Sequence, residues 1–317
     1  AYFREQEIFF YHRLRHTGYL RHLLVRKAVK TGEILVDLIT TTQDWRNVQE
    51  QEPDERAKIE AALLEKQGRC PHAGTVNEEK EKQLLAGWKD VLLALSLEGT
   101  LKGVLHTKND SVADVVKNEG TEVLFGQDYF YETLLGLRFK IGTFSFFQPN
   151  SLAAEVLYSI VRDYIGDTKD KEVFDLYSGT GTIAQLLASV AKEVIGVELN
   201  RDAVKDAVIN AKRNNIKNEQ FYNADAGKFM VELSEQNKKV DVVFMDPPRA
   251  GSDEAFLSSV VKLAPKKVVY VSCNPETLAR DLKYLTRHGY QAVECQPCDM
   301  FPFTKHVEAI CLLSKKF

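Results

Sequence analysis

Hydrophobic and polar positions change their rhythm once along the chain, near residue 147, and the change predicts two domains. Before it, residues 20–29 and 33–40 carry apolar and β-branched side chains on either side of Lys30-Thr31-Gly32, the pattern of a hairpin that opens an antiparallel region. Residues 43–98 shift to helical spacing. Pro53-Asp54-Glu55 starts a helix, residues 69–74 interrupt it, and residues 77–97 resume it with leucines at helical intervals. Short apolar stretches punctuated by Gly103, Asn109, Gly120, Gly126 and Gly136 return to strand character over 100–140. Residues 1–146 are therefore expected to form an α+β domain with a helical insertion at about 43–98.

After Pro149-Asn150, apolar runs of strand length alternate with helical segments as far as the last residue. Strands are expected at 172–177, 193–198, 220–223, 240–246, 267–272, 292–297 and 306–313. The alternation specifies a parallel sheet covered by helices on both faces. Residues 298–305 are too few for a helical crossover, so the last two strands should pair antiparallel. The fold class that follows is α/β: a Rossmann-like, mostly parallel sheet with an antiparallel last strand over 147–317, preceded by the α+β domain.

Composition narrows the setting. With 317 residues, 44% hydrophobic and 27% charged, each half has enough apolar material for its own core. No run approaches the roughly 18–20 apolar residues of a membrane span, and no signal peptide opens the chain, so a cytoplasmic protein with no membrane partner is expected. The sequence starts at Ala1 without an initiator Met, which raises the expectation of further upstream sequence. No obligate protein partner is evident. The net charge of −3 does not announce a polyanion partner, but its distribution is uneven. The first thirty residues hold Arg4, Arg13, Arg15, Arg21, Arg26, Lys27 and Lys30 with three histidines, against Glu5 and Glu7 alone. Tyr2, Phe3, Phe9, Phe10, Tyr11 and Tyr19 are interleaved with them, a mixture suited to neutralising phosphates and stacking bases, and equally to a solvated strand face beside a core. Five cysteines are too few for a disulfide framework, so reduced thiols are expected. Cys70 has only His72 nearby and Cys295-Gln296-Pro297-Cys298 is a lone pair, so no metal site is expected.

Candidate chemistry gathers at the ends of the later strands. Val173 to Tyr177 runs into Ser178-Gly179-Thr180-Gly181-Thr182, where Gly179 and Gly181 let backbone turn and approach a ligand. Glu198 ends the second strand, placed for ribose hydroxyls, and Asp225 follows the third, in reach of an adenine amino group. The glycine spacing alone fits a dinucleotide as well as S-adenosylmethionine. Asp175, just before the glycines, favours the latter, because its anion suits a methionine ammonium and would repel a pyrophosphate. Asp246-Pro247-Pro248-Arg249 ends the fourth strand. Enzymes that methylate exocyclic amines carry an aromatic where Arg249 stands, so a carbon target is indicated. Cys273 ends the fifth strand at the same edge. A thiolate there suits addition to carbon 6 of a uracil, which makes carbon 5 nucleophilic, and Glu308 is the candidate base for the carbon 5 proton.

These residues amount to a resemblance. Phe146-Phe147-Gln148-Pro149-Asn150, residues 175–181, Asp246-Pro247-Pro248-Arg249-Ala250-Gly251, and Ser272-Cys273-Asn274-Pro275 with His306-Val307-Glu308 stand in the order found in RNA 5-methyluridine methyltransferases, whose ribosomal and transfer RNA branches share these catalytic residues. The resemblance implies a class I methyltransferase fold and S-adenosyl-L-methionine as cofactor. It implies that Gln148 contacts both cofactor and uracil, that Tyr177, Thr182, Glu198 and Asp225 line the cofactor, and that Asp246 sits between the reactants. Cys273 would be the nucleophile and Glu308 the base. The implied activity is methylation of carbon 5 of a uridine in structured RNA, 23S ribosomal RNA ahead of the transfer RNA T-loop. A catalytically inactive RNA-binding protein on the same fold is the reading from another class. Many members carry an upstream β-barrel and a four-cysteine iron–sulfur site; neither is found in this sequence, so an iron–sulfur cluster would belong only to a module outside it.

Overall fold

The first apolar pattern folds as a hairpin, β1 (Leu20–Lys27) and β2 (Glu33–Thr40), paired antiparallel with Leu23 opposite Leu38. It belongs to a four-stranded sheet of order β1-β2-β3-β4, with β3 at Thr100–Lys108 and β4 at Thr121–Gly126. This sheet is mixed rather than antiparallel, because β2 and β3 run parallel. The long connection between them, which includes a helix, supplies the crossover that parallel pairing requires. The computed structural model describes residues 1–45, 66, 75–113, 115–236 and 238–316. The expected helix start at Pro53, the break over 69–74, and Cys70 with His72 lie outside the described residues.

A short helix α1 (Tyr2–Glu5) precedes the sheet, and α2 (Glu78–Leu93) falls inside the helical pattern of 77–97. Asn77 caps α2 by accepting from the Lys80 amide at 3.1 Å. Its buried face, Glu81, Leu84, Leu85 and Trp88, recurs at helical spacing and packs with Val36, Leu38 and Val104. Glu81 is tolerated there because the Tyr19 hydroxyl donates to it at 2.8 Å and Lys108 lies 3.4 Å away.

The chain groups into two units, Ala1–Tyr131 with Gly142–Phe144, and Glu132–Ile141 with Ser145–Phe317. A hairpin of β5 (Tyr129–Leu134) and β6 (Leu137–Gly142) carries residues 132–141, expected in the N-terminal domain, into the second unit. The cause is two asparagines one turn apart on a helix of that unit. Asn210 accepts from the Lys140 amide at 2.7 Å and donates to its carbonyl at 3.1 Å, and Asn214 repeats this with Arg138 at 3.0 and 3.2 Å. Their side-chain amides act on β6 as a neighbouring strand would.

The second unit holds a seven-stranded sheet of order β12-β13-β11-β10-β7-β8-β9. Its strands are β7 (Thr168–Leu176), β8 (Ala191–Glu198), β9 (Glu219–Asn223), β10 (Val242–Met245), β11 (Lys267–Ser272), β12 (Tyr290–Cys298) and β13 (Glu308–Lys315). Helices α3 (Ser151–Ile165), α4 (Thr182–Leu187), α5 (Arg201–Arg213), α6 (Ala226–Glu235), α7 (Glu254–Leu263) and α8 (Pro275–Arg287) alternate with the strands. Only β13 runs against its neighbours, antiparallel to both β11 and β12, as the short 298–305 connection required. The central strands are fully buried, with Val243, Phe244, Val268 and Tyr270 at 0% exposure, and this apolar centre fixes the register that brings the strand ends to one edge. No helix among the described residues is long and apolar enough to cross a membrane.

Candidate active site

Two glycines shape the turn after β7 for different reasons. Gly181 has φ of 75° and caps α4, and a Cβ there would stand 2.8 Å from the Phe221 ring and 2.9 Å from the Ala207 methyl. Gly179, with φ of 55°, faces open space: nothing lies within 4 Å of where a methyl would stand. Gly181→Ala is therefore expected to cost about 1–3 kcal/mol of stability through overpacking. Gly179→Ala should cost about 1 kcal/mol, the price of a left-handed residue, while weakening cofactor binding at the turn. Urea unfolding of both variants, each with and without S-adenosylhomocysteine, separates the two effects.

Around this turn the structure brings together the acids expected for a cofactor. Asp175 is fully buried between Gly196 and Phe244 in register, and neither of its oxygens has a hydrogen-bond partner among the described residues. Burial lifts its carboxyl to about 7; the Ala184 amide offsets part of the rise, and the Glu198 charge adds to it. A buried acid with unused oxygens fits a ligand cation such as an ammonium. Glu198 is oriented by the Gly179 and Asn200 amides, which donate to its two oxygens at 2.9 and 2.7 Å. Asp225 caps α6 by accepting from the Lys228 amide at 2.9 Å, so one oxygen is committed to the fold. Tyr177 holds φ of 72°, a costly backbone for an aromatic residue, with its ring 6.0 Å from that of Phe256. Thr182 is buried at the start of α4, its hydroxyl 3.3 Å from that of Thr180. Gln148, 9% exposed just before α3, has no hydrogen-bond partner among the described residues.

The candidate reacting groups lie two strands along. Cys273 follows β11, partly exposed and unpaired. Ala309 pairs with Ser272, so Glu308, the first residue of β13 and 5% exposed, stands beside the Cys273 position. Burial raises the Cys273 thiol, the Glu308 and Asp246 charges raise it further, and Arg249 acts in the opposite direction. Glu308 is itself raised by burial and lowered by Arg249. Asp246, at the end of β10, is pushed up to about 8 by burial and then by Glu308 and Asp175. These dependences bring the thiol, both acids and the guanidinium into one electrostatic neighbourhood. Arg249 is held toward it by the imidazole of His306, whose Nδ1 is 2.6 Å from Nη2.

Sequence reading missed several participants. Tyr158, buried on α3, has its hydroxyl raised by burial and by Asp246, Asp175 and Glu308, so it faces the same acids; no spacing signal marks it. Glu219 on β9 has both oxygens buried without partners among the described residues and is lifted to about 8, first by burial and then by Asp175. The expectation of reduced thiols is corrected at one place: Cys295 is disulfide-bonded to Cys311, its direct partner across β12 and β13, while Cys273 and Cys298 are free. Sequence spacing does not display the register that brings that pair together. Among the described residues no group of three or more His, Cys, Asp or Glu is arranged to hold a metal.

The basic and aromatic N-terminal segment divides between structure and surface. Arg21 donates to the carbonyls of Asn109 and Ala113 at 2.8 and 3.0 Å and lies 4.5 Å over the Tyr11 ring. Arg26 donates to those of Gly142 and Thr143, both at 2.9 Å. Tyr19 is buried, and Phe3 packs 6.0 Å from Trp88. Arg4, Arg13, Arg15, Lys27 and Lys30 are exposed with Phe9 and Phe10, so roughly half of the mixture remains on the surface.

Comparison with known proteins gives three findings. The family model for tRNA (uracil-5-)-methyltransferase matches residues 81–316. An uncharacterized RNA methyltransferase of Clostridium tetani is 43% identical over 315 residues, covering 99% of this chain and 60% of that protein. Another from Caldanaerobacter subterraneus subsp. tengcongensis is 42% identical over 314 residues, covering 99% and 61%. The chain thus spans about three fifths of the length of these relatives. Among solved structures, the tRNA (uracil-54, C5)-methyltransferase of Pyrococcus abyssi in complex with S-adenosyl-L-homocysteine superposes with a TM-score of 0.70 at 27% identity, covering 98% of this chain and 64% of that one. The second unit is accordingly a Rossmann-like methyltransferase fold.

Proposed function

As the chain belongs to the tRNA (uracil-5-)-methyltransferase family, we propose that it transfers a methyl group from S-adenosylmethionine to carbon 5 of a uridine in structured RNA, with Cys273 as nucleophile. The observation that carries this reading is the register that sets Glu308 of β13 beside Cys273 at the end of β11, with the loop after Asp246 tied there through the Arg249 carbonyl, bonded to Asn274 and Thr277, and the Arg249 side chain, bonded to His306. Asp175, Gly179, Gly181, Tyr177, Thr182, Glu198, Asp225, Gln148 and Asp246 would hold the cofactor, which supplies an electrophilic methyl group when bound. Cys273, as its thiolate, adds to carbon 6 of the uracil, so that the electron pair of the 5,6 double bond becomes available at carbon 5. Asp246, between the reactants, orients the ring. After carbon 5 has gained the methyl group, Glu308 takes the carbon 5 proton, and the electrons left behind expel the Cys273 thiolate and restore the double bond. The base must be unstacked for this, because both faces of the ring are used.

RNA carrying 5-fluorouridine tests the scheme, since fluorine cannot leave as a proton and the thioether would persist. Wild-type protein with S-adenosylmethionine should form an adduct that survives denaturing electrophoresis, and Cys273→Ser should form none. An adduct of equal yield with Cys273→Ser would end the assignment.

For the RNA itself, ribosomal RNA is the substrate put forward. The relatives' additional length leaves room for the separate RNA-binding module that the sequence resemblance associates with the ribosomal branch. Transfer RNA is the second reading, favoured by similarity to the Pyrococcus abyssi protein, whose name specifies uracil 54 of tRNA. Methylation of each purified RNA, with 5-methyluridine mapped by mass spectrometry, decides between them.

A further inference from the structure

An acid lies on the apolar stripe of α8. Asp281 falls three residues after Leu278 and four before Leu285, both buried, and is itself 0% exposed. Burying a carboxylate there is costly unless its oxygens are bonded, and they are. Oδ2 accepts from the Ser252 amide at 2.8 Å and from the Tyr270 hydroxyl at 2.6 Å. Oδ1 accepts from Arg280, whose Nε and Nη2 both lie at 2.8 Å. Arg280 also donates through Nη2 to the carbonyls of Ala250 and Ser252, both at 3.0 Å. Nearer the start of α8, Asn274 Nδ2 and the Thr277 hydroxyl each donate to the Arg249 carbonyl at 3.3 Å.

These bonds connect three pieces of the site: the loop after β10, the strand β11 that ends at Cys273, and the helix that starts just after it. A well-packed apolar residue at position 281 would often serve stability as well as an ion pair whose acid is buried and whose arginine is half-exposed, so the ionic arrangement calls for another purpose. We propose that Asp281, together with Arg280, is a positioning pair that fixes the 246–252 loop against the end of β11 and thereby keeps Arg249 beside the Cys273 thiol. The proposal rests on the reading of Cys273 as the nucleophile, and its consequence reaches that thiol directly. The charged groups facing the thiol are Glu308 from β13, Asp246 from the end of β10, and Arg249 from the loop; of these side chains Arg249 alone favours the thiolate.

The test uses Asp281→Asn, which keeps the shape and removes the charge, in the full chain. Alkylation of Cys273 by iodoacetamide is followed against pH on the Cys273 peptide by mass spectrometry. Loosening of the loop should move the profile upward, slowing alkylation at pH 7.5 by about threefold or more, since half a pH unit is a threefold change in thiolate. Capture of 5-fluorouridine RNA should slow by roughly ten- to a hundredfold, the cost of a small misplacement, with S-adenosylhomocysteine affinity changed less than about twofold. Gly251→Ala disturbs the same contact from the loop side, because its Cβ would stand 2.5 Å from Arg280 Nη2 and 2.7 Å from Asp281 Oδ2 at φ of 75°. It should shift the profile in the same direction and decides the matter if Asp281→Asn does not fold. An unmoved alkylation profile in a variant that binds S-adenosylhomocysteine normally overturns the proposal. Failure of wild-type protein to capture the RNA removes the nucleophile reading instead, and the alkylation profile still tests the positioning pair.

Discussion

Glu308→Gln is expected to reduce turnover by about 10²- to 10⁴-fold, the usual contribution of a general base, while covalent complexes with ordinary RNA accumulate. The substitution keeps the size and hydrogen-bonding shape of the side chain and leaves Cys273 and the cofactor acids in place, so addition and methyl transfer continue. What stops is removal of the carbon 5 proton, without which the Cys273 thioether has no electrons to expel it. The surroundings of Glu308 suit that step. The residue is 5% exposed, and burial favours the neutral form it takes after accepting a proton, while Arg249 acts in the opposite direction. Incubation with unmodified RNA and S-adenosylmethionine, followed by denaturing electrophoresis, should show a retarded band with Glu308→Gln and little with wild type. Normal product release by the variant would mean that another group takes the proton; Asp246, lifted to about 8, would be the next candidate.

The sheet of the second unit was legible because four of its strands carry a residue of unmistakable type at or next to their ends after an apolar run. Asp175, Glu198, Asp246 and Cys273 all follow such runs, and parallel pairing puts strand ends at one edge. Glu308 reaches that edge from the opposite direction, since an antiparallel strand begins where its neighbours finish, and the short 298–305 connection was enough to foresee it. What stayed hidden depends on register and on packing between elements distant in sequence. The bond between Cys295 and Cys311 needs the alignment of β12 with β13. The parallel pairing of β2 and β3 depends on a connection whose pattern says only that it is helical. Residues 132–141 join the second unit because Asn210 and Asn214 bond to a strand some seventy residues earlier. Asp281 was readable in principle, an acid in phase with Leu278 and Leu285, and it lay outside the motifs that drew attention to the strand ends. About half of the N-terminal arginine and aromatic mixture proved engaged within the fold for a related reason: a count of charges does not separate an arginine that neutralises phosphate from one that, like Arg21, bonds backbone carbonyls of its own chain.

Binding of S-adenosylhomocysteine should strengthen about tenfold between pH 6 and pH 8, as expected for linkage to one carboxyl that titrates near 7. The sign follows from Asp175. Its ordinary value of 3.8 rises to about 7 in the folded protein, so between those values the folded chain holds a proton that the unfolded chain has lost. That contribution to stability is fully present below about 4 and disappears as the pH rises through 7. A ligand ammonium reverses the preference. It favours the carboxylate, so binding below pH 7 must release a proton, which weakens affinity as the pH falls; above 7 the carboxylate is already formed. The cofactor should therefore raise the melting temperature more at pH 8 than at pH 6, even though the Asp175 contribution makes the free protein more stable at the lower pH. Asp246 and Glu219, each near 8, steepen the dependence only to the extent that the ligand's charge reaches them. Asp175→Asn, uncharged throughout, should bind more weakly at pH 8 and lose most of the slope. Calorimetric titrations in two buffers of different ionisation enthalpy measure the proton released directly: close to one per ligand at pH 6 for wild type, and far less for Asp175→Asn. A wild-type affinity that is flat across this range, or a variant that keeps the full slope, would place the ammonium elsewhere and leave Asp175 as a buried acid without a ligand.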